Sequence, residues 1–232
     1  MINLSIVIPC FNEAKSLPKL VKDFSKKLKR KDIELILVNN GSNDSTETII
    51  SNLKKDYNFL KMIKLKKNNG YGNGILQGLK KAKGKYISWT HADLQTDPYD
   101  VIIGFEKFEK ELSPKIFIKG NRLGRPLKDI IFTIGMSIFE TILLKKFFWD
   151  VNAQPNIFHK NFFNMLEKIP LDFSFDLFFY FNAKKKKLKI LRFPVKYPER
   201  KFGVSHWNTD FKNKMKFIKR TIKYSFQLKK EL

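Results

Sequence analysis

The sequence predicts an α/β fold in which a mostly parallel sheet is flanked by helices. Short β-rich apolar runs alternate with segments whose apolar residues recur at helical spacing, a pattern typical of parallel sheets covered on both faces. Polar residues or glycines follow each run. The chain has 232 residues and 43% hydrophobic content, which is enough for one substantial core with a small appendage.

Two units of strand, loop and helix open the chain. The first has an apolar run at residues 4–9 and a helical pattern over residues 17–28. The second has an apolar run at residues 33–38, which stops at the polar residues 39–42. Residues 44–46 then supply side chains that suit the N-cap of the next helix.

Two more strands are predicted at residues 60–65 and 86–89. The first of these leads into a glycine-rich segment, residues 70–74, which either lets backbone approach a ligand closely or forms a simple turn. The second ends at His91 and Asp93. Because ligands bind beyond the carboxyl ends of strands in such sheets, these clusters predict a binding site at that edge.

The net charge of +24 indicates an anionic partner. Six of the 46 basic residues are Arg, so codon bias toward Lys is an alternative source of the charge. The sequence contains no zinc-finger spacing, helix-turn-helix pattern or RNA-recognition motif. We therefore expect an anionic membrane surface, and not nucleic acid, as the partner.

Two segments are candidates for contact with that membrane. Residues 130–149 predict a helix with a broad apolar surface, but its apolar run is interrupted by Glu140 and is too short to span a bilayer. Residues 207–232 predict a basic amphipathic helix, an appendage to a domain over residues 1–206. Either helix could instead pack on the domain as an ordinary structural element.

Two features bear on the compartment. The lone cysteine, Cys10, excludes an internal disulfide and lies in an apolar run that suits a buried position. Residues 1–4 enter this run without the basic region of a signal peptide. We expect a cytoplasmic protein that is peripheral on the inner face of the membrane, without a signal peptide or a transmembrane span.

A metal site is predicted after the fourth strand. Asp93, Gln95 and His91 offer oxygen and imidazole ligands to a divalent cation. A cation held there could neutralise a bound diphosphate.

Three motifs follow the strands in order: Pro9-Cys10-Phe11-Asn12-Glu13, Asn39-Asn40-Gly41-Ser42-Asn43-Asp44 and Ala92-Asp93-Leu94-Gln95. In this order they resemble the family-2 glycosyltransferases, which have the Rossmann-like GT-A fold. Downstream, Gly120-Asn121-Arg122 and Arg200-Lys201-Phe202-Gly203-Val204-Ser205 are similar to elements of dolichyl- and polyprenyl-phosphate sugar synthases. The resemblance covers residues 3–206.

The resemblance implies an inverting enzyme that moves a sugar from a UDP- or GDP-sugar to a polyprenyl phosphate or another membrane-associated acceptor. The residues it assigns to the donor are Pro9, Phe11, Asn12, Glu13, Asn39, Gly70, Asp93 and Gln95. The residues expected on the acceptor side are Arg122, Thr133, Gln154 and Ser205. Mg²⁺ or Mn²⁺ would be held by Asp93 and Gln95, with His91 beside them, and Arg200 would reach the donor diphosphate.

The sequence departs from the family's pattern in three places. Asn39-Asn40 stands where two aspartates are usual, which leaves the base of the donor open. His91 replaces the first acidic residue of the Asp-x-Asp motif, and an imidazole suits Mn²⁺ better than Mg²⁺. Asp129 lies four residues before Thr133, where lipid-phosphate synthases have an Arg near the acceptor phosphate, and this difference disfavours a lipid-phosphate acceptor.

The acceptor decides whether the reaction needs a base. A phosphate monoester is already ionised near neutral pH, whereas the hydroxyl of a saccharide or small molecule must lose its proton to a carboxylate. The candidate carboxylates are Asp150 and Asp176, which could equally be turn or helix-cap residues. The altered acidic motifs also leave a third alternative, a non-catalytic relative that binds nucleotide or recruits the chain to a membrane.

Overall fold

Seven strands form a single sheet in the part of the chain that the structure describes. The structure is a computed structural model, and it describes residues 1–198 and 211–232. The strands are β1 (Leu4–Cys10), β2 (Ile33–Asn40), β3 (Leu60–Leu65), β4 (Tyr86–Trp89), β5 (Ile116–Leu123), β6 (Asn156–His159) and β7 (Lys189–Lys196). Their order is β3-β2-β1-β4-β6-β5-β7, and every neighbouring pair is parallel except the two that β6 forms. The predicted α/β fold with a mostly parallel sheet is confirmed.

Helices cover both faces of this sheet. They are α1 (Leu17–Lys27), α2 (Thr46–Asp56), α3 (Tyr71–Lys81), α4 (Asp100–Lys107), α5 (Leu127–Leu144), α6 (Lys160–Asn164), α7 (Phe175–Lys185) and α8 (Phe211–Lys229). A short 3-10 turn, Glu109–Glu111, precedes β5.

Each face of the sheet buries its own apolar core. In β1, Ile6 and Ile8 lie in the core that includes α1, α2 and α4, whereas Val7 lies in the core that includes α3 and α7. This division follows from the alternation of side chains along a strand. Burial on both faces explains why all eight residues of β2 are buried and why its sequence is a nearly unbroken apolar run.

The predicted bounds of the helix at residues 130–149 are wrong at both ends. Helix α5 begins at Leu127, directly after Pro126, and ends at Leu144. It stops there because Lys145 adopts a left-handed conformation with φ of 52°, which terminates a helix in the same way as a C-terminal glycine. The aromatic residues that follow therefore lie outside the helix, with Phe148 fully buried and Phe147 exposed.

Helix α8 packs against α5. The Ser225 hydroxyl donates a hydrogen bond to Glu140 Oε1 at 2.6 Å, and the rings of Phe139 and Phe226 lie 6.4 Å apart. The division of the chain into residues 1–206 and 207–232 stays a prediction. Within the described ranges, no helix combines the length and the apolar character needed to cross a membrane.

Gly78 marks a close approach of α3 to the sheet, and its substitution tests the packing. A Cβ added at Gly78 would lie 2.2 Å from Val7 Cγ1, so the side chain of β1 would have to move. We expect Gly78→Ala to lower the free energy of unfolding by about 1–3 kcal/mol, as overpacking does. Urea denaturation measures this change.

The matched control is Gly135→Ala in α5, where an added Cβ would meet open space. Its free energy of unfolding should stay the same or rise by about 1 kcal/mol, because Ala has the higher helix propensity. Equal stability of the two variants would contradict this account of α3 packing.

Because Glu140 is buried, we expect the free energy of unfolding to depend on pH. Burial raises the pKa of Glu140 from 4.5 to about 7. Between these values the folded protein holds a proton that the unfolded chain has lost, so the free energy of unfolding falls as the pH rises. The total loss is on the order of 3 kcal/mol, from a shift of ~2 to 3 pKa units.

Glu140→Gln keeps the shape of the protonated carboxyl and should remove this loss. We expect the variant to match the wild type near pH 4.5 and to be more stable at pH 8, as measured by denaturation across that pH range. Glu167→Gln, at an exposed position, is the control and should follow the wild-type curve. If the free energy of unfolding changed with pH in the same way for Glu140→Gln and the wild type, the raised pKa of Glu140 would be disproved.

Candidate active site

A cavity of about 440 Å³ lies beyond the carboxyl ends of β1, β2 and β4. The wall nearest the strands includes Pro9, Phe11, Glu13, Asn40, Gly70, Tyr71, His91, Asp93 and Gln95. The facing wall includes Arg122, Arg125, Thr133, Asp176 and Tyr197. The cavity therefore has the position that the predicted strand ends require.

Two asparagines join the loops that follow β1 and β2. The backbone N–H of Asn12 donates to Ser42 Oγ at 3.1 Å, and Asn12 Oδ1 accepts from the N–H of Asn43 at 2.9 Å. Asn39 Oδ1 accepts from the N–H of Ser42 at 3.0 Å. These bonds hold the two loops beside each other, so Asn12 and Asn39 shape the rim of the cavity from behind.

Asn40, the neighbour of Asn39, reaches the cavity wall. Its Nδ2 donates to the carbonyl of Gly70 at 3.0 Å, which ties the end of β2 to the glycine-rich segment. Its Oδ1 is buried and has no hydrogen-bond partner among the described residues. A buried carbonyl oxygen without a partner costs free energy, so it is an acceptor available to a ligand.

Asp93 and His91 lie in the same wall. Asp93 is buried, and its Oδ1 accepts from the backbone N–H of Gln95 at 3.0 Å. The side-chain amide of Gln95 is already bonded, since its Oε1 accepts from the Tyr197 hydroxyl at 3.2 Å and its Nε2 donates to the Pro198 carbonyl at 3.4 Å. Residues 1–198 and 211–232 contain no cluster of three His, Cys, Asp or Glu side chains able to hold a metal ion.

Few side chains at this site are therefore able to bind a metal ion. Asp93 supplies a carboxylate and His91 an imidazole, whereas Gln95 would have to release Tyr197 before it could ligate. A carboxylate with an imidazole suits Mn²⁺ better than Mg²⁺, which prefers oxygen ligands alone. A cation bound by these two side chains would need its remaining ligands from a bound molecule.

Tyr71 organises the aromatic part of the cavity. Its ring stacks on Phe173 at 4.8 Å between centroids and lies 5.9 Å from the ring of His91. Its hydroxyl is hydrogen-bonded to the Gln154 amide. This stack holds His91 in the wall that also contains Asp93.

In the facing wall, two guanidinium groups lie around the carboxylate of Asp150. Arg122 bonds to Asp150 through its side chain, with Nε 2.9 Å from Oδ1, and through its backbone N–H. Although burial opposes it, the Arg122 guanidinium lowers the pKa of Asp150. Arg125 lies 3.8 Å from the same carboxylate. Two guanidinium groups thus share the Asp150 carboxylate, and Asp176 is a second carboxylate in the same wall.

Arg125 is held against Thr133. Its NH1 donates to Thr133 Oγ1 at 2.7 Å, and its Nε is buried without a hydrogen-bond partner among the described residues. Burial, followed by the charge of Arg122, lowers the pKa of Arg125. An anion in the cavity would relieve both effects, and the Nε of Arg125 is a donor for it, whereas the Thr133 hydroxyl already donates to the Asp129 carbonyl at 2.8 Å.

Asp176 lies at the start of α7, where hydrogen bonds hold its side chain in place. Its Oδ1 accepts hydrogen bonds from Trp89 Nε1 and Asn156 Nδ2, each at 3.2 Å. Lys119 Nζ, itself fully buried, donates to Asn156 Oδ1 at 2.8 Å. Burial lowers the pKa of Lys119 to about 7 and raises the pKa of Asp176. This network holds Asp176 in one orientation at the cavity wall.

The cavity extends into an apolar chamber between α5, α7 and α8. The chamber is lined by Phe132, Met136, Leu177 and Phe217, and Glu140 also lines it. Glu140 Oε2 has no hydrogen-bond partner within the described part of the chain. The chamber is suited to the apolar part of a ligand.

The structure brings together most of the predicted site residues. Those that line the cavity are Pro9, Phe11, Glu13, Gly70, His91, Asp93, Gln95, Arg122, Thr133 and Asp176. Asn12, Asn39, Asp150 and Gln154 lie behind the wall and bond to residues that form it or to the loops beside it. Arg200 and Ser205 lie outside the described residues. The assigned roles of all these residues stay predictions.

Four residues that line the cavity were not predicted from the sequence: Asn40 and Tyr71 in the wall nearest the strands, and Arg125 and Tyr197 in the facing wall. Asn40 was available as the neighbour of Asn39, but a strand places neighbouring side chains on opposite faces and the register is set by pairing. Arg125 lies eight residues before Thr133, whereas the family pattern directed attention to the residue four positions before it.

Comparison with known proteins identifies the family. Residues 5–149 match the model of the family described as glycosyl transferase family 2. A dolichyl-phosphate beta-glucosyltransferase of Dictyostelium discoideum is 31% identical over 105 residues, which are 41% of this chain and 32% of that protein. An undecaprenyl-phosphate 4-deoxy-4-formamido-L-arabinose transferase of Pseudomonas fluorescens is 32% identical over 129 residues, 54% of this chain and 38% of that protein.

These matches span about a third of the length of the relatives concerned. An uncharacterized protein of Methanocaldococcus jannaschii is 27% identical over 231 residues, which cover 95% of this chain and 98% of that protein.

Two solved structures share the fold. Glucosyl-3-phosphoglycerate synthase from Mycobacterium tuberculosis, in complex with Mn²⁺, UDP-glucose and phosphoglyceric acid, has a TM-score of 0.75 at 12% identity, covering 98% of this chain and 79% of that one. The mannosyltransferase PcManGT from Pyrobaculum calidifontis, in complex with GDP-Man and Mn²⁺, has a TM-score of 0.66 at 14% identity, covering 87% and 58%. At these identities the likeness shows the GT-A fold alone. Since the family model matches more than half of the chain, this protein belongs to glycosyl transferase family 2.

Proposed function

We propose that this protein transfers a sugar from a UDP- or GDP-sugar to the phosphate of a polyprenyl phosphate, with inversion at the anomeric carbon. The observation that carries the proposal is the nearly buried pair of guanidinium groups, Arg122 and Arg125, beside Thr133. The pair lies in the same cavity as Asp93 and His91, so an acceptor phosphate and a donor diphosphate would be bound close together.

The charge of the facing wall supports a phosphate acceptor. Asp150 compensates one guanidinium, and a phosphate monoester would compensate the other through charge-assisted hydrogen bonds. Arg125 supplies the cation that the sequence lacks at position 129, because the loop before α5 brings it to Thr133. The Arg125 Nε, which has no hydrogen-bond partner among the described residues, is the donor that would meet a phosphate oxygen.

The apolar chamber supports a lipid as the body of the acceptor. A phosphate held by Arg125 and Thr133 would have Phe132 and Met136 of α5 next to it. The two glycosyltransferases with matching segments are named for dolichyl phosphate and undecaprenyl phosphate. We propose an acceptor of the same chemical class, a phosphate on an isoprenoid chain.

The strand-side wall supports a nucleotide diphosphate donor. Pro9, Phe11 and Glu13 would line the nucleotide pocket, and the Oδ1 of Asn40 offers an acceptor to it. Asp93 and His91 would hold Mn²⁺, which when bound neutralises negative charge on the diphosphate. Solved proteins of the same fold are described in complex with Mn²⁺ and UDP-glucose or GDP-Man.

The proposed reaction is a single in-line displacement. An oxygen of the acceptor phosphate attacks the anomeric carbon and forms the new C–O bond, while the bond from that carbon to the diphosphate breaks and its electron pair leaves with the diphosphate. The attacking oxygen is ionised near neutral pH, so no strong base is required. The role of Arg122, Arg125 and Thr133 is to hold this oxygen in line. Attack opposite the leaving group inverts the configuration.

A second candidate function uses a hydroxyl acceptor. The observation that favours it is Asp176, a buried carboxylate at the cavity wall that Trp89 and Asn156 hold in one orientation. A carboxylate so placed could accept the proton of a saccharide hydroxyl. A non-catalytic relative is the remaining alternative, and turnover of a nucleotide sugar would eliminate it.

We also propose that the enzyme works at the inner face of a membrane as a peripheral protein. The support for this location is the acceptor class together with the net charge of +24, which attracts the protein to anionic lipids.

Asp93→Asn tests the donor site. We expect the wild type to bind one UDP- or GDP-sugar in a Mn²⁺-dependent manner, and the variant to bind it at least about tenfold more weakly, because a charged ligand of the cation is lost. Calorimetric titration with Mn²⁺, Mg²⁺ or chelator measures this. Asp97→Asn is the control, since that carboxylate pairs with Lys27 on the surface. If the wild type bound the nucleotide sugar equally well with Mn²⁺ and with chelator, the proposed metal site would be contradicted.

Arg125→Ala tests the acceptor site. We expect kcat/KM for a polyprenyl phosphate to fall by about 10- to 100-fold, the value of a hydrogen bond to a charged group, while donor binding is unchanged. Radiolabelled sugar transfer measures the loss. Lys54→Ala, at an exposed position on α2 and away from α5, is the control. If Asp176→Asn abolishes transfer and Arg125→Ala has no effect, the hydroxyl-acceptor alternative is correct instead.

A further inference from the structure

Helix α5 exposes a row of five aliphatic side chains on one face. They are Leu127, Ile131, Ile134, Ile138 and Ile142, and we call them the aliphatic stripe. Their spacing of three or four residues places them along one side of the helix. With a rise of 1.5 Å per residue, the stripe is about 22 Å long.

The stripe is not part of the protein core. Leu127 and Ile142 are more than 70% exposed, and Ile131 and Ile138 are more than half exposed. The opposite face of α5 already makes the contacts with the domain, because Ser137, Glu140 and Leu144 are buried there. An exposed apolar area of this shape indicates a surface that is covered by a partner.

The charged residues at the ends of the stripe indicate which kind of partner would cover it. Lys128 and Lys145 are exposed at its two ends, and the acidic residues of α5 do not accompany it, since Glu140 is buried and Asp129 is half-buried. Aliphatic residues framed by lysines match the hydrocarbon boundary and the headgroups of an anionic leaflet.

A second copy of the chain fits less well. Two copies that paired their stripes about a twofold axis would set α5 antiparallel to its own copy if the axis crosses the helix, and parallel to it if the axis runs along the helix. Lys128 of one copy would then approach Lys145 or Lys128 of the other, which places like charges at both ends of the contact.

We infer that the aliphatic stripe of α5 inserts into the headgroup boundary of an anionic bilayer, with the helix lying along the surface. This inference rests on the proposed function, for which it names the membrane-binding surface. The inner side of the same helix presents Phe132, Thr133 and Met136 to the cavity. Docking through the stripe would therefore bring the phosphate site next to the leaflet that holds the acceptor.

The test is flotation of the full chain with vesicles of phosphatidylcholine alone and of phosphatidylcholine with phosphatidylglycerol. We expect binding to the anionic vesicles, and a loss of about tenfold or more in partition for the double variant Ile131→Ser/Ile138→Ser, which removes apolar area from the stripe. The matched control is Ile103→Ser on α4, an exposed isoleucine away from the stripe, which should bind as the wild type does.

Two results would overturn the inference. One is wild-type binding by the double variant, since vesicle association would then use another surface. The other is a wild-type dimer in sedimentation equilibrium that the double variant converts to monomer, with no vesicle binding by either protein.

Transfer of sugar to a short, water-dispersed isoprenoid phosphate separates this inference from the proposed function. A wild type that transfers sugar but binds no vesicles would overturn the inference and keep the proposed function. A wild type that binds vesicles through the stripe but transfers no sugar to any phosphate would overturn the proposed function. Circular dichroism of the double variant shows that it is folded.

Discussion

The parallel pairing of β1 with both β2 and β4 is the constraint on which the rest of the structure depends. Residues 4–7 of β1 pair with both neighbours at once, so the three strands end at one edge of the sheet. The loops after these strands have to share that edge, and Asn12, Ser42 and Asn43 bond to one another there. Residues from motifs that are far apart in the sequence form a single wall because their strands are parallel neighbours.

The facing wall depends on a different arrangement, the antiparallel strand β6. It lies between β4 and β5 and places the segment before it, with Asp150, beside the end of β5. Arg122 and Asp150 are both nearly buried, so each requires the other, because an unpaired buried charge is strongly destabilising. Arg125 shares the Asp150 carboxylate with Arg122.

Helix α5 serves two surfaces at once. One side forms the wall of the chamber and is tied to α8 through Glu140 and Ser225. The other side carries the aliphatic stripe. A helix with apolar residues on most of its circumference is ordinarily buried in a core. Here the packing of α7 and α8 covers part of that circumference and leaves the stripe exposed, which is why composition alone could not decide between a core helix and a surface helix.

The sequence by itself determined the order of the elements, the parallel sheet and the edge at which Pro9, Asp93 and their neighbours meet. These follow from local periodicity and from the chemistry of strand ends. Only the tertiary structure decided that Asn40 and not Asn39 faces the cavity, and that Arg125 bonds to Thr133. It also decided that Asp150 is held by Arg122. Which side chain of a strand or loop reaches a cavity depends on strand register and on packing between distant segments, and neither is encoded in the spacing of residues along the chain.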